Sequence, residues 1–351
     1  MDDQLEELWS IKHTKWFGAC SYSPDGSTLL FSSVDMLVMI DVTTRKELWS
    51  TRYNKTVTCF AYSPNGSTVL VGCIDGLLAI CEAPTGKMLF SWKGGNVITC
   101  CAYSPDGTSI SCGINDEINN GYITGTLMQW DFNTKKLLWE SYPEGQIRCC
   151  VYSPDGSTIL LSFCFIESYF TDALVMVDAC TGKKLWGLRI HGFSSCCDYS
   201  PDGSSVIVGS SNRILAMVNA STGEPIWMVR CEGIKWCAYS PDGSDVLVGQ
   251  TDGELIMYDA STGGKLYSAD LGCCVECCAY SPDGSTMISA SNDNTLMLWS
   301  NPRAKWSPQN HCSKSSSVKK NVETLFLLRQ TNECQLSLLS RELMYEICTK
   351  I

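Results

Sequence analysis

Along the first 300 residues, short runs of apolar and β-branched residues alternate with turns rich in Gly, Asp and Ser. One cycle is clearest from Lys235 to Tyr267. Residues 235–239 are a first run, Ser240-Pro-Asp-Gly243 a turn, and 245–249 a second run. Thr251-Asp-Gly253 is another turn, 254–258 a third run, and residues 259–264 turn into Lys265-Leu-Tyr267. The runs are too short for helices and lack a 3.6-residue period. They predict four short strands per cycle, joined by tight turns.

The Tyr-Ser-Pro-Asp-Gly-Ser segment recurs seven times with small variations, at Tyr22, Tyr62, Tyr103, Tyr152, Tyr199, Tyr239 and Tyr280. The spacings are 40, 41, 49, 47, 40 and 41 residues. A period of this size marks one supersecondary unit that buries its faces only against its neighbours. Proline presets φ at the second position of a type I turn, aspartate suits the third and glycine the fourth. Seven four-stranded units arranged radially make an all-β, seven-bladed β-propeller.

These residues carry a resemblance. The Ala-Tyr-Ser-Pro-Asp-Gly pieces, the second-turn Asp, the third-strand aromatic-Asp and the following Thr-Gly-Lys resemble the WD40-repeat family over residues 6–300. Trp130-Asp131 is the one literal Trp-Asp, and its counterparts include Ile40-Asp41, Val177-Asp178 and Tyr258-Asp259. After Trp299 no Thr-Gly-Lys-x-Leu-Trp strand follows, whereas Glu7-Leu-Trp-Ser10 matches Glu47-Leu-Trp-Ser50. Residues 6–11 are therefore expected to complete the last blade and cover its open edge. The Gly-His pair of the family is missing, so its His–Ser/Thr–Asp–Trp network cannot form throughout. The second-turn aspartates Asp35, Asp75, Asp116, Asp252 and Asp293 are expected to bond local backbone amides instead. Thr181-Gly-Lys-Lys-Leu-Trp186 is also similar to quinoprotein-like propeller repeats, which would imply an oxidoreductase.

Two units are longer, with the extra residues expected in loops after the second strand: Ile114–Gly125 and Phe163–Ala173. Strand alternation puts both on the face that carries the blade-to-blade connections. A partner-binding patch is predicted there from Asp116, Glu117, Asn119, Asn120 and Tyr122 beside Phe165, Glu167, Tyr169 and Phe170.

Charge and composition narrow the function classes. Net charge is −11, and the segment from Arg303 onward carries +4, leaving −15 on the body. An acidic body argues against nucleic acid as a partner. The start is acidic and has no apolar signal segment, and no apolar run is long enough to span a bilayer. These features predict a soluble protein of the cytoplasm, with the nucleus also open to it, and no membrane partner. Of 22 cysteines, Cys20, Cys101, Cys150, Cys197, Cys237 and Cys278 lie two before the repeat tyrosine, and Cys59, Cys100, Cys149, Cys196 and Cys277 three before it. Such first-strand positions fit small apolar packing in a reducing compartment. Cys273-Cys-Val-Glu-Cys-Cys278 has metal-ligand spacing only if 272–275 turn, because strand residues three apart face opposite ways. The three histidines, His13, His191 and His311, form no recognisable triad. No catalytic residue, cofactor or metal site is predicted. Trp49, Trp139, Trp186 and Trp227 share one repeat position and read as outer-strand packing.

Residues 301–320 are polar and read as a flexible linker. Residues 321–351 read as a short α-helical C-terminal tail, with Leu339, Leu343, Ile347 and Ile351 on one helical face as a partner-binding stripe. Leu339-Ser-Arg-Glu-Leu-Met-Tyr-Glu-Ile347 resembles the opening of an F-box, with Ser340 in place of the usual proline. That resemblance implies a ubiquitin-ligase adaptor subunit as partner, whereas a plain amphipathic helix would dock on the propeller or another protein. The leading expectation is a non-enzymatic scaffold that binds other proteins. The alternatives are a substrate adaptor of a cullin-based ubiquitin ligase and a quinoprotein-like oxidoreductase.

Overall fold

Each Ser-Pro-Asp-Gly segment closes a reverse turn. In the first copy the Gly26 N–H donates to the Ser23 carbonyl at 2.9 Å. The Ser23 hydroxyl donates to Asp25 Oδ1 at 2.6 Å, and the same oxygen accepts the Ser27 N–H at 3.0 Å. Gly26 sits at φ 73°, in the left-handed region that a side chain disfavours. The computed structural model describes residues 4–15, 17–117, 123–143, 145–164, 173–189 and 194–304.

These turns join the first two strands of seven four-stranded antiparallel sheets. The blades span 17–52, 57–93, 97–141, 146–188, 194–230 and 234–270, and blade 7 combines 275–300 with 6–12. Within each, the first strand lies against the first strands of the neighbouring blades and the fourth is at the rim. The middle strands are buried on both faces because every blade is sandwiched. In Thr28–Ser33 and Met36–Asp41 nearly all residues are buried, whereas Glu47–Arg52 alternates exposed and half-buried positions. Each fully buried Leu or Ile contributes about 2 kcal/mol by leaving water.

The strand Glu6–Lys12 completes blade 7, as its likeness to the other fourth strands predicts. It pairs antiparallel with Thr295–Ser300, Trp9 opposite Leu298 and Ile11 opposite Leu296, with a bulge between Glu7 and Trp9. The two ends of the propeller thus share one sheet.

Neighbouring blades are joined by repeated polar contacts. The indole N–H groups of Trp49, Trp139, Trp186 and Trp227 donate to the carbonyls of Ala83, Ala179, Ala220 and Ala260 in the next blade, at 2.8 to 3.0 Å. A glycine of that next blade lies flat on each indole; a Cβ on Gly182 would sit 2.7 Å from the Trp139 ring. Where the glycine is replaced, Arg45 and Lys135 hold the left-handed conformation at φ 61° and 59°. Both stack their charge on an aromatic ring of the seam, Arg45 on Trp9 and Lys135 on Phe90 and Phe132.

The repeat tyrosine points the other way, to a hydroxyl in the preceding blade. Tyr22 bonds Thr286 at 2.8 Å, Tyr103 bonds Thr68 at 3.0 Å, Tyr199 bonds Thr158 at 2.8 Å and Tyr239 bonds Ser205 at 2.9 Å. Tyr62 is 3.5 Å from Thr28, and Tyr152 bonds Ser111 and Gln129 instead.

Three details differ from the reading of the sequence. The Ile114–Gly125 segment is largely strand, because Ser109–Glu117 and Ile123–Asp131 extend the hairpin, pairing Asn115 with Gly125 and Glu117 with Ile123. Asp116 therefore lies in a strand, not a turn. Of the second-turn aspartates, Asp252 and Asp293 accept backbone N–H groups of Glu254 and Thr295. Asp35 instead pairs with Lys15 at 2.8 Å and Arg52 at 2.6 Å, and Asp75 with Lys93 at 3.2 Å, because these cations extend from adjoining segments. Finally, residues 301–304 pack on the propeller: the Asn301 amide donates to the Gly284 carbonyl at 2.8 Å.

Candidate interaction surface

The two faces of the propeller are built differently. One carries the Ser-Pro-Asp-Gly turns and the turns before each fourth strand. Its carboxylates are held within their own turns. The Ser23 hydroxyl and the Ser27 N–H hold Asp25 below the usual carboxylate range, and Ser104, Ser153 and Ser200 do the same for Asp106, Asp155 and Asp202. Asp41 and Asp131 are lowered by the N–H groups of Thr44 and Thr134. Proline of each turn touches glycine of the next around the ring, closing with Pro282 against Gly26. These acids are structural.

The opposite face carries the blade-to-blade connections and the turns after each second strand. Among the described residues, its longest strands form the blade 3 hairpin. Its strands are nine residues long, against six in the matching strands of blades 1 and 2. Three further residues per strand carry Glu117 and Ile123 about 10 Å beyond the ends of the shorter strands. The base is buttressed by Asn115, whose side-chain oxygen accepts the Ile147 N–H at 3.0 Å while its amide donates to the Ile147 carbonyl at 3.3 Å. Asn115 thus mimics a strand partner for blade 4 and fixes the angle of the hairpin. Nothing in the repeat pattern flagged it, because Asn115 stands beside Asp116 and Glu117 in a polar stretch that reads as a loop.

Of the predicted patch, Asp116 and Glu117 are placed in this hairpin, opposite Thr124 and Ile123. Asn119, Asn120, Tyr122, Phe165, Glu167, Tyr169 and Phe170 lie outside the described residues, as do Leu339, Leu343, Ile347 and Ile351. The ends that frame the first two groups, Glu117 and Ile123 in blade 3 and Cys164 and Ala173 in blade 4, are on the same face of adjacent blades. On that face, between blades 5 and 6, lies an open groove of about 700 Å³ lined by Arg213, Arg230, Gln250, Asp252, Glu254 and Tyr258. Arg213 pairs with Glu232 and Lys265 with Glu254, both at 3.3 Å.

In the first strand of blade 5, Asp198 accepts the N–H of Tyr199 at 2.9 Å and of Tyr239 in blade 6 at 3.0 Å. Burial nevertheless pushes its carboxyl up to about 6. The other blades have Ser21, Ala61, Ala102, Val151, Ala238 and Ala279 at this position. His13 faces Ser33 at 3.3 Å and packs against Phe17 and Phe31, which makes it a packing residue of blade 1.

The segment 272–273 bends, but Val275 already belongs to the strand Val275–Tyr280, so the turn over 272–275 that the Cys-x-x-Cys spacing required is only partly present. Among the described residues, no three His, Cys, Asp or Glu side chains come close enough to hold a metal ion. Among the same residues, no helix is long and apolar enough to cross a membrane.

Two family models match parts of the chain. The anaphase-promoting complex subunit 4 WD40 domain matches residues 20–116, from blade 1 into blade 3. The family described as outer membrane protein assembly factor BamB matches residues 171–334, from the third strand of blade 4 onward. No curated protein matches the chain. Its seven four-stranded blades, its N-terminal closing strand and a WD40 match over the opening repeats support the WD40-repeat reading of this seven-bladed β-propeller.

Proposed function

We propose that this propeller is a non-enzymatic scaffold that binds other proteins on the face bearing the blade 3 hairpin. The observation that carries this reading is the buttressed extension. A hairpin about 10 Å above a rigid face, fixed at its base by Asn115, can enter a concave partner at little conformational cost. The names of the matching families agree with it: one is a subunit of a complex, the other an assembly factor. The predicted patch, from Asp116 to Tyr122 and from Phe165 to Phe170, would be the contact surface.

One further observation favours the ligase-adaptor version. Residues 301–304 are fixed on the opposite face by Asn301 and Arg303, so the last described residues lie on the side away from the hairpin, and the F-box-like sequence 339–347 follows them in the chain.

Affinity capture from cell extract tests both. Three samples are compared: the full chain, a chain ending at Lys320, and a full chain with residues 116–124 replaced by a tight turn. The scaffold reading expects partners lost only with the shortened hairpin. The adaptor reading adds a cullin-ligase component lost only with the truncated tail. Identical capture by the full chain and the shortened hairpin would reject this face as the binding surface.

A further inference from the structure

The first strands carry cysteines in a pattern that only the assembled ring makes intelligible. Adjacent residues of a strand point to opposite faces. The cysteine three before the repeat tyrosine therefore turns to the next blade, and the one two before it turns to the preceding blade. The thiol of Cys101 contacts Cys59, Cys150 contacts Cys100, Cys197 contacts Cys149 and Cys237 contacts Cys196. At the seam that closes the ring, Cys277 Sγ lies 2.8 Å from Cys20 Sγ, 257 residues away in sequence. The same reciprocal pair thus occupies five of the seven seams. At the other two, the corresponding positions hold Ala19 with Phe60 and Trp236 with Cys278.

Packing explains part of this. Glycines of the second strands leave room for sulfur: a Cβ on Gly72, Gly113 or Gly209 would lie 2.5, 2.6 or 2.7 Å from the sulfur of Cys59, Cys100 or Cys196. That argument asks for one small residue, which Ala or Ser would supply. It does not ask that both partners be thiols at five seams.

We propose that these five cross-blade thiol pairs are latent disulfides that close under an oxidant, stapling blades 2 to 6 into one arc and blade 7 to blade 1. The Cys59–Cys101, Cys100–Cys150, Cys149–Cys197 and Cys196–Cys237 bonds would run without a break from blade 2 to blade 6. The seams between blades 1 and 2 and between blades 6 and 7 would stay unlinked.

With hydrogen peroxide as the oxidant, the chemistry at the closing seam is as follows. The Cys277 thiolate attacks one peroxide oxygen, the O–O bond breaks, and the hydroxide released takes up the thiol proton as water. The Cys20 sulfur then attacks the sulfenic sulfur of Cys277. The S–S bond forms, the S–O bond breaks and a second water leaves with the Cys20 proton. Two electrons pass from the two sulfurs to the peroxide. Burial and the facing thiol push Cys20 and Cys237 well above the ordinary thiol range, which suits them to the second, resolving step rather than to the first attack on peroxide.

The test is disulfide mapping on the full chain. Protein is treated with peroxide, free thiols are blocked in denaturant, and unreduced peptides are sequenced by mass spectrometry. A second sample is refolded from denaturant in a glutathione redox buffer, which gives the pairs access without depending on opening of the ring. The expected result, in either sample, is bonds joining each cysteine three before a repeat tyrosine to the cysteine two before the next one, each with a loss of about 2 Da. Cys277→Ser should remove the bond to Cys20 and leave the other four. Bonds between vicinal cysteines such as Cys100 and Cys101, bonds only between molecules, or full alkylation of these ten cysteines in both samples would overturn the proposal.

Discussion

Arg303 Nη1 lies 2.9 Å from Oδ1 of Asp245, a carboxylate buried in blade 6. Asp245 stands where the other blades have the Thr or Ser that starts the second strand. In most seams that hydroxyl receives the tyrosine of the next blade. At this seam Tyr280 is buried, and its hydroxyl has no hydrogen-bond partner among the described residues. The polar contact that joins the other blades has been replaced by an ion pair to residues just past the last blade. Burial pushes Asp245 up and Arg303 draws it back only in part. Arg303 also reaches Asp259 at 3.4 Å, so it bridges two strands of blade 6.

Removing the cation should leave a buried carboxylate unpaired. Arg303→Ala is expected to destabilise the fold by about 2–3 kcal/mol, below the full value of a buried pair because the guanidinium is partly exposed. Asp245→Thr restores the repeat hydroxyl, so Arg303→Ala in that background should cost less than 1 kcal/mol, roughly the value of an exposed contact. Urea denaturation of the four proteins measures the coupling, and equal costs in both backgrounds would show that Asp245 does not depend on Arg303.

The tyrosine contacts predict a contrast at one repeat position. Tyr199→Phe loses the 2.8 Å bond to Thr158 and should cost about 1 kcal/mol. Tyr280→Phe loses no bond and sheds a buried, unpartnered hydroxyl, so it should be neutral or stabilising. Thermal unfolding of the two variants checks this; a Tyr280→Phe loss as large as that of Tyr199→Phe would contradict it.

The closing strand should be indispensable. Trp9 is buried between blades 7 and 1, in the same cluster as Phe31 and Leu298. Trp9→Ala is expected to cost about 3 kcal/mol. Deleting residues 1–12 exposes the edge of Thr295–Ser300 and should produce concentration-dependent association, read by light scattering.

Asp198 predicts a pH dependence. Its folded carboxyl titrates at about 6, above the ordinary value. The native state therefore holds a proton that the unfolded chain has released. The corresponding stability is full below the unfolded pKa and is lost as pH rises toward about 6. The loss is at most about 3 kcal/mol from a shift of this size. Stability of the wild type relative to Asp198→Asn should fall between pH 4 and pH 6 and stay level above. A flat difference would show an unshifted carboxyl.

Much of the architecture was legible because local chemistry writes it. Pro24, Asp25 and Gly26 specify a turn by their own backbone preferences, and seven copies specify seven blades. The likeness of Glu7-Leu-Trp-Ser10 to Glu47-Leu-Trp-Ser50 revealed the closing strand, because both fill one position in a blade. The Ile114–Gly125 segment was misjudged as a loop, because a hairpin that continues beyond its neighbours has no boundary in the periodic pattern. The candidate patch was legible only as an insertion: length shows that a segment projects, and not what surrounds it.

By itself, then, the sequence determined the number of blades, their strand order and the means of closure, since these follow from preferences acting over a few residues and repeated about every 40. Only the tertiary structure decided which blade each side chain serves. Tyr22 meets a hydroxyl 264 residues away, Cys20 meets Cys277, and Arg303 finds Asp245 rather than solvent. Such contacts depend on the closing of a ring, which brings together strands remote in sequence, and no local preference encodes that distance.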